Sequence, residues 1–235
     1  MSVHQGWRPE TVSAGPLVDP ADTPDWLRGL VEATAGLDAA AFTRLSPPPD
    51  GSSRAAAVLM LLGESDGADG PDILLLRRAD TLGSHPGQVA FPGGAADPAD
   101  DGPIATALRE AEEETGVLPT GVRPVALLPE LYVPPSGFLV TPVLGQWVEP
   151  CPVRPVDQAE TAAVARVPIS YLADPANRFK VRHPSGFLGP AFGVPGMLVW
   201  GFTAGLLTGL LALGGWERPW DATDVRDLDV ALRAT

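Results

Sequence analysis

The chain is short of three things. It has one cysteine, Cys151, in 235 residues. That excludes an intramolecular disulfide and every multi-cysteine metal site, and it fits a reducing, cytoplasmic setting. Basic residues are few: 16 Lys and Arg stand against 29 Asp and Glu, a formal net charge of −13. Non-specific nucleic-acid binding needs a basic footprint, so nucleic acid is excluded as a partner. If the ligand is an anion, a metal and local arginines must attract it. The opening MSVHQGWRPET lacks the apolar run of a signal peptide. Charge is also missing from Pro184 to Trp216, and Met197 to Leu213 is strongly apolar. A membrane span needs about 20 apolar residues. Gly201, Gly205 and Gly209 interrupt the apolar run, with Pro195 just before it and Gly214 and Gly215 just after, so it reads as a buried strand (MLVWGF) followed by a buried helix, with a membrane protein as the rival reading.

What is present is ample for a core. Apolar residues make up 45% of the chain, while 26 glycines and 27 prolines announce many turns without periodic low complexity. No internal repeat is visible. Residues 1–20 read as a loosely ordered arm. Pro24 to Leu37 carries Trp26, Leu27, Leu30 and Val31 at helical spacing, with Thr23 or Asp25 as candidate cap. Ala55–Leu62 and Asp72–Arg78 read as strands of a hairpin around a turn at Gly63 to Gly70, and Gly87–Phe91 as a short strand running into Gly93-Gly94. Further strands are expected at Val122–Leu128, Phe138–Val148 and Glu160–Val167. A helical turn is expected at Pro168–Asp174, and a loop at 175–192 carrying Arg178, Lys180 and Arg182. The charged tail, 217–235, is expected to end in a helix. Strands around one central helix, with further helices outside, make an α/β layered domain.

That central helix, Pro103–Thr115, holds the chemistry. Pro103 suits its first turn and Gly116 stops it. Asp100 and Asp101 suit its positive N-terminal end. Ile104, Ala107, Leu108, Ala111 and Thr115 form a packing face, and Glu110, Glu113 and Glu114 are expected to project roughly opposite it. With Glu112, four carboxylates lie within five positions. Like charges at i,i+4 destabilise a helix by a few tenths of a kcal/mol per pair. A solvated helix face is the ordinary explanation, but a hard divalent cation would make the cluster favourable.

The run Gly94 to Val117 resembles the Nudix box, G-x5-E-x7-R-E-U-x-E-E-x-G-U, where U is bulky and apolar. Its right half, Arg109-Glu110-Ala111-Glu112-Glu113-Glu114-Thr115-Gly116-Val117, follows the pattern with only Ala111 small. Its left half is one residue longer and has Asp100 or Asp101 in place of the early Glu. Upstream, Leu74-Leu75-Leu76-Arg77-Arg78-Ala79, Gly87 and Phe91-Pro92-Gly93-Gly94 resemble the coenzyme A pyrophosphatase subgroup; Leu76 replaces its Thr and Gly83 its second Arg. PELYVPPSGFLVTPVL and VWGFTA resemble it too. The resemblance implies a Nudix fold, a mixed β-sheet sandwiched between α-helices with a catalytic loop–helix–loop. It implies Mg²⁺ or Mn²⁺ held by Glu110, Glu113 and Glu114, with Glu113 or Glu114 also a candidate proton acceptor. Arg109 would position a carboxylate, and Arg78, Gly93 and Gly94 would meet substrate. Arg77 would point the other way.

Weaker candidates are His85 and Glu160 for ligand or metal contact, a water-mediated second metal at Asp100 or Asp101, and Tyr132 and Phe138 for base stacking. Arg178, Lys180 and Arg182 are candidates to compensate for Gly83. Each has a plainer reading as loop, surface or core. Cys151 has no base beside it and is not a nucleophile. The expected organisation is an arm and helix at 1–50, a Nudix domain at 51–216 and a tail at 217–235. The expected activity is hydrolysis of the diphosphate of coenzyme A or acyl-CoA to 3′,5′-ADP and 4′-phosphopantetheine or its acyl form. Membrane is no partner, and a homodimer is left open. The alternatives are hydrolysis of another nucleoside diphosphate derivative, such as ADP-ribose or a dinucleotide, and a non-catalytic nucleotide-binding module.

Overall fold

A computed structural model describes residues 13–43, 45–64, 70–134 and 136–234. Most of the expected N-terminal arm, and the heart of the expected hairpin turn at 65–69, lie outside the described residues. In chain order the elements begin with β1 (Gly15–Pro16), α1 (Asp25–Ala33), β2 (Arg54–Glu64), β3 (Pro71–Arg78), β4 (Val89–Ala90), β5 (Gly93–Ala95) and α2 (Pro103–Thr115). Then come β6 (Val122–Leu127), β7 (Leu131–Val133), β8 (Phe138–Trp147), β9 (Thr161–Pro168) and α3 (Ile169–Ala173). The chain closes with β10 (Arg178–Arg182), β11 (Leu188–Val194), β12 (Met197–Trp200), α4 (Gly201–Leu213), β13 (Val225–Asp227) and α5 (Leu228–Arg233).

Among the described residues, nine strands form one mixed sheet along the path β1-β6-β8-β2-β3-β4, with β5 on β2, β7 on β8 and β9 on β3. The β2–β8 pair is parallel, from Arg54↔Phe138 to Leu62↔Gln146; the other pairs in this sheet are antiparallel. β2 is apolar almost throughout because both its faces are covered. Ala57, Leu59 and Leu61 turn to α2, where they pack with Ala107, Ala111, Val117 and Val143. Met60 and Leu62 turn the other way and join Leu27, Leu30 and Val31 of α1 and Leu206, Leu207 and Leu210 of α4. Helices therefore flank the sheet on both faces, as the sequence predicts.

β2 and β3 form the expected antiparallel pair, joined only at Leu62↔Ile73, Gly63↔Asp72 and Glu64↔Pro71. Beyond that point β3 leaves β2, and β5 takes its place: Ala56↔Ala95, Ala57↔Gly94, Val58↔Gly93. The opening between β3 and β5 faces α2. α1 starts behind Pro24 with no side-chain cap, and the Thr23 hydroxyl donates instead to the Pro20 carbonyl at 2.6 Å.

The stretch expected as a loop at 175–192 contains β10 and most of β11. RFKVR alternates: Phe179 and Val181 are buried. Its charges suggest a solvated loop, but Arg178 is only 2% exposed, with its guanidinium carbon 4.7 Å from the Trp220 ring centroid and 5.3 Å from that of Phe192. The tail supplies β13, parallel to β10, besides the expected terminal helix α5. These strands make a second sheet in the order β12-β11-β10-β13. The apolar run resolves into β12 and α4. α4 is apolar nearly all round because it is buried, with Thr203, Ala204, Leu206, Leu207, Leu210 and Leu211 inside. No helix among the described residues is long and apolar enough to cross a membrane.

Candidate active site

The site starts at Gly93 and Gly94 on β5. A Cβ on Gly93 would lie 2.4 Å from the Ala57 carbonyl oxygen and 2.6 Å from the Val58 Cα. A Cβ on Gly94 would lie 2.5 Å from the Glu110 carboxyl carbon. The first glycine lets β5 lie on β2; the second leaves the space that the Glu110 carboxylate fills. The Gly93 amide donates to Glu114 Oε2 at 2.9 Å.

The expectation that all three glutamates project opposite the packed face is corrected. At about 100° per residue, Glu114 lies only about 20° round the helix from Ala107, and Glu110 about 60°. Both therefore flank the buried face and turn toward β5. Glu113 is the one that points outward, with its side chain 60% exposed against 18% for Glu110.

Arg109 ties the helix to the loop before it. Its Nε and Nη2 donate to the two oxygens of Asp100 at 3.0 and 2.8 Å, and Nη2 also donates to the Ala95 carbonyl at 3.1 Å. Its Nη1 donates to Glu110 at 2.9 Å and Glu113 at 3.2 Å. Asp100 also accepts from the Thr106 hydroxyl at 2.8 Å and the Asp97 amide at 2.9 Å. The hydrogen bonds from Arg109 hold its carboxyl down to about 2. Asp100 is thus committed to Arg109, and Asp101 is exposed. The sequence reading gave Arg109 a carboxylate to hold but did not identify Asp100 as its partner, because the two, nine residues apart, meet only when the loop folds back.

Burial pushes Glu114 up to about 7, with the Glu110 and Glu160 charges adding to the shift and the Gly93 amide and Arg78 opposing it. Burial also raises Glu110, against the pull of Arg109. Arg78 is half-buried on the side of Glu114, and its Nε has no hydrogen-bond partner among the described residues. Arg77 turns away to Asp80 at 2.8 Å.

The other candidates divide. Glu160 is exposed, yet its charge reaches Glu114. His85, at a positive φ of 53°, has Nδ1 3.0 Å from Gln88 Oε1. Phe138 lies under the Arg54 guanidinium, whereas Tyr132 is paired with Leu139 on β8. Arg178 and Arg182 are engaged by Glu217 and Asp227 in the second sheet. The Cys151 thiol is 3.7 Å from the Gly116 carbonyl. Two clefts lie elsewhere, one beside Pro71 and Trp216 and one beside Phe179 and Arg226; neither touches the glutamates.

The donor set is all carboxylate and carbonyl oxygen, which suits a hard divalent cation. A raised pKa on a carboxylate crowded by other carboxylates is the sign of a place where positive charge is missing. As they stand, no three Asp, Glu, His or Cys side chains among the described residues converge on one ion. Arg109 engages Glu110 and Glu113, and the Gly93 amide engages Glu114. Glu110 and Glu114 fit the cation by position; Glu113 meets them only through Arg109.

A mixed sheet between helices, with a carboxylate-bearing loop–helix–loop on a Gly-Gly strand, defines an α/β domain of the kind that handles phosphate through metal. The NUDIX domain profile matches residues 52–179, and the chain belongs to the Nudix family. It is 43% identical over 131 residues to a protein of Photorhabdus laumondii described as an uncharacterized Nudix hydrolase, NudL, covering 54% of this chain and 67% of that one. It is also 43% identical over 100 residues to the Escherichia coli K12 protein of the same description, covering 43% and 51%. The match thus spans between half and two thirds of these relatives. A Nudix hydrolase structure from M. smegmatis, RenU, shares the fold at a TM-score of 0.50 and 21% identity, covering 72% of this chain and 89% of that one.

Proposed function

We propose that the chain hydrolyses the diphosphate bond of coenzyme A or an acyl-CoA, releasing 3′,5′-ADP and 4′-phosphopantetheine or its acyl form. The observation that carries this reading is the site's polarity. Glu110 and Glu114 face the Gly93-Gly94 strand beside Arg78, and burial with neighbouring charge lifts Glu114 to about 7. Carboxylates and an arginine on one shelf accommodate a divalent cation and the phosphates it neutralises. The subgroup signature, Leu74 to Gly94, lies along β3, β4 and β5, which form this shelf.

In this reading Glu110, Glu113 and Glu114 would hold Mg²⁺ or Mn²⁺, although Glu113 stands outward on Arg109. Bound there, the cation neutralises phosphate charge and acidifies a water. Arg109, fixed by Asp100, holds the Glu110 carboxylate in place and pairs with the exposed Glu113. Arg78 offers its guanidinium to a phosphate oxygen, and the Gly93 and Gly94 backbone lets the substrate come close. Glu113 or Glu114 is the candidate to accept the proton of the attacking water. The hydrolase unit is residues 51–216, with the described parts of 1–50 and 217–235 packed on it, in a cytoplasmic setting that the single thiol fits.

Gly83 favours a second reading, in which the substrate is another nucleoside diphosphate derivative such as ADP-ribose. Where the subgroup has an arginine, this position has open space within 4 Å. The test is a panel of coenzyme A, acetyl-CoA, ADP-ribose, NADH and dinucleoside polyphosphates with Mg²⁺ and Mn²⁺, with Glu114→Gln as control. Coenzyme A turnover lost in the control supports the first reading, and ADP-ribose turnover without coenzyme A turnover selects the second. Binding with no turnover of any diphosphate leaves a non-catalytic module.

A further inference from the structure

Thr161, the first residue of β9, is 1% exposed, and its hydroxyl has no hydrogen-bond partner among the described residues. Each of the other buried threonines has one. Thr34 donates to the Val31 carbonyl at 2.7 Å, Thr106 to Asp100 at 2.8 Å and Thr203 to the Val89 carbonyl at 3.0 Å, and Thr23, Thr115 and Thr141 are engaged likewise. A buried hydroxyl left unpaired is destabilising, and such an exception calls for a cause.

The neighbour of Thr161 across the sheet is Arg78. The pairing of β3 with β9 slips at this point: Arg77 stands opposite Ala163, Arg78 stands opposite Thr161, and Ala162 is the extra residue. Bulges of this kind re-aim side chains, and they recur beside active sites. Without the slip Arg78 would stand opposite Ala162, which has no polar group to offer. Residues directly opposite in an antiparallel pair share a face, with Cβ atoms about 4.5–5.5 Å apart. For Arg78 that face is the one under α2. Leu74 packs there with Ala107 and Ala111, alternation carries the same side to Arg78, and the Arg78 charge acts on Glu114. The Glu160 charge acts on Glu114 too, and the Glu160 carbonyl accepts from the Ala79 amide at 2.8 Å, so the start of β9 lies along the arginine end of β3.

Arg78 Nε is itself buried and without a partner among the described residues. An Nε–H only donates, whereas a hydroxyl oxygen accepts. Two groups of complementary kind thus stand side by side at the site without bonding each other. Arg28, Arg166 and Arg178 also have an unpartnered Nε, but the unpartnered hydroxyl is the cross-strand neighbour of Arg78.

We propose that Thr161 is a positioning residue for Arg78. When the Nη groups of Arg78 take a phosphate oxygen of the substrate, its Nε donates to the Thr161 hydroxyl, and that bond fixes the plane of the guanidinium. The inference rests on the hydrolase reading above and on the phosphate contact given there to Arg78. It does not depend on coenzyme A, since every diphosphate in the panel offers the same oxygens.

The test measures kcat and KM with Mg²⁺ for coenzyme A, or for ADP-ribose if wild type turns that over instead. The proteins are wild type, Thr161→Val, Thr161→Ser, Arg78→Lys and the double variant. Thr161→Val keeps the shape and drops the hydroxyl. It raises KM about 10-fold with kcat little changed, because a hydrogen bond to a charged group is lost in the complex. Its melting temperature without substrate equals or exceeds that of wild type, because an unpaired buried hydroxyl is gone. Thr161→Ser recovers most of the KM. Lysine has a methylene where arginine has Nε, so Arg78→Lys raises KM by itself, and adding Thr161→Val to it changes KM by less than about twofold. A wild-type KM in Thr161→Val, or the same increase in both backgrounds, overturns the inference and leaves the hydrolase reading intact. Wild type inactive on every diphosphate of the panel overturns both. If Thr161→Val melts below wild type, the difference between the two backgrounds decides.

Discussion

Adjacent glycines at the site make opposite predictions, and the pair separates folding from catalysis. At Gly94 the three atoms nearest an added Cβ are those of the Glu110 carboxylate, 2.5 Å to its carbon and one oxygen and 2.7 Å to the other oxygen. That is the far end of a flexible side chain, and Gly94 has no positive φ. In Gly94→Ala the carboxylate swings away. An off-rotamer side chain costs about 0.5–1.5 kcal/mol, and the stiffer unfolded chain returns about 0.4–1 kcal/mol. Stability should therefore stay within about 1 kcal/mol of wild type. At Gly93 the added Cβ meets backbone, the Ala57 oxygen and Val58 Cα, which cannot swing aside. Gly93→Ala must push β5 off β2, and overpacking of this kind costs about 1–3 kcal/mol, with the Glu114 hydrogen bond also disturbed.

Activity should follow a different order. Displacing Glu110 by an ångström or more should lower kcat/KM about 100-fold in the well-folded Gly94→Ala protein. Chemical denaturation gives the stabilities, and kcat/KM against Mg²⁺ concentration gives the site. Gly94→Ala with wild-type kcat/KM would show that the Glu110 carboxylate does not act where it stands. Gly94→Ala unfolding as readily as Gly93→Ala would refute the steric reasoning itself.

Other outcomes are also specified. Asp100→Asn should destabilise the protein by about 1–2 kcal/mol at pH 7, since Asp100 is nearly buried while its partner Arg109 is 29% exposed and partly screened. The folded pKa of about 2 lies below the ordinary value of 3.8, so this stabilisation is complete above pH 4 and is lost as pH falls through 2; the gap between mutant and wild type in denaturation should narrow over that window. Glu114 has the opposite sign: raised from 4.5 to about 7, its ionisation opposes folding, so the opposition is absent below pH 4.5 and complete above 7. Glu114→Gln should thus be at least as stable as wild type in chelator at pH 8 while losing metal-dependent turnover; clear destabilisation there would contradict the burial assigned to Glu114. Glu217→Ala strips Arg178, 1% exposed, of its carboxylate partner and should cost about 1–3 kcal/mol by thermal unfolding, more than Arg178→Met, which removes the buried charge as well.

Legibility followed the range of the interactions. α2 could be bounded to the residue, Pro103–Thr115, because its start and stop are local: a proline in the first turn and Gly116 at φ 74°. The core strands were readable because β2 and β3 are apolar over their length. β5 was not, because Gly-Gly-Ala has no pattern; it is a strand only because β3 leaves β2 and exposes a free edge. β10 was hidden by Arg178, whose burial depends on Trp220 more than 40 positions later. The same limit applied at the site. The sequence assigned the glutamates, but their direction depends on which part of α2 lies on the sheet. Asp100 was visible as an acid in the right region, and its engagement by Arg109 was not.

That engagement gives the departing half of the motif a structural part, which is to hold Arg109. The pattern has a glutamate where this chain, one residue longer between Gly94 and Arg109, has an aspartate. A shorter side chain alone would pull the carboxylate back by about the length of one methylene and break a bidentate contact, which tolerates little error. Here the loop makes up the difference. Asp97 turns it, with its side chain on the Ala99 amide and its carbonyl on the Asp100 amide, and Asp100 reaches both Nε and Nη2 of Arg109 at 3.0 and 2.8 Å. The extra residue and the shorter acid are therefore one change in two parts. Lengthening Asp100 to Glu, or shortening the loop by one residue, should each on its own weaken the hold on Arg109 in thermal unfolding, and the two changes together should restore it.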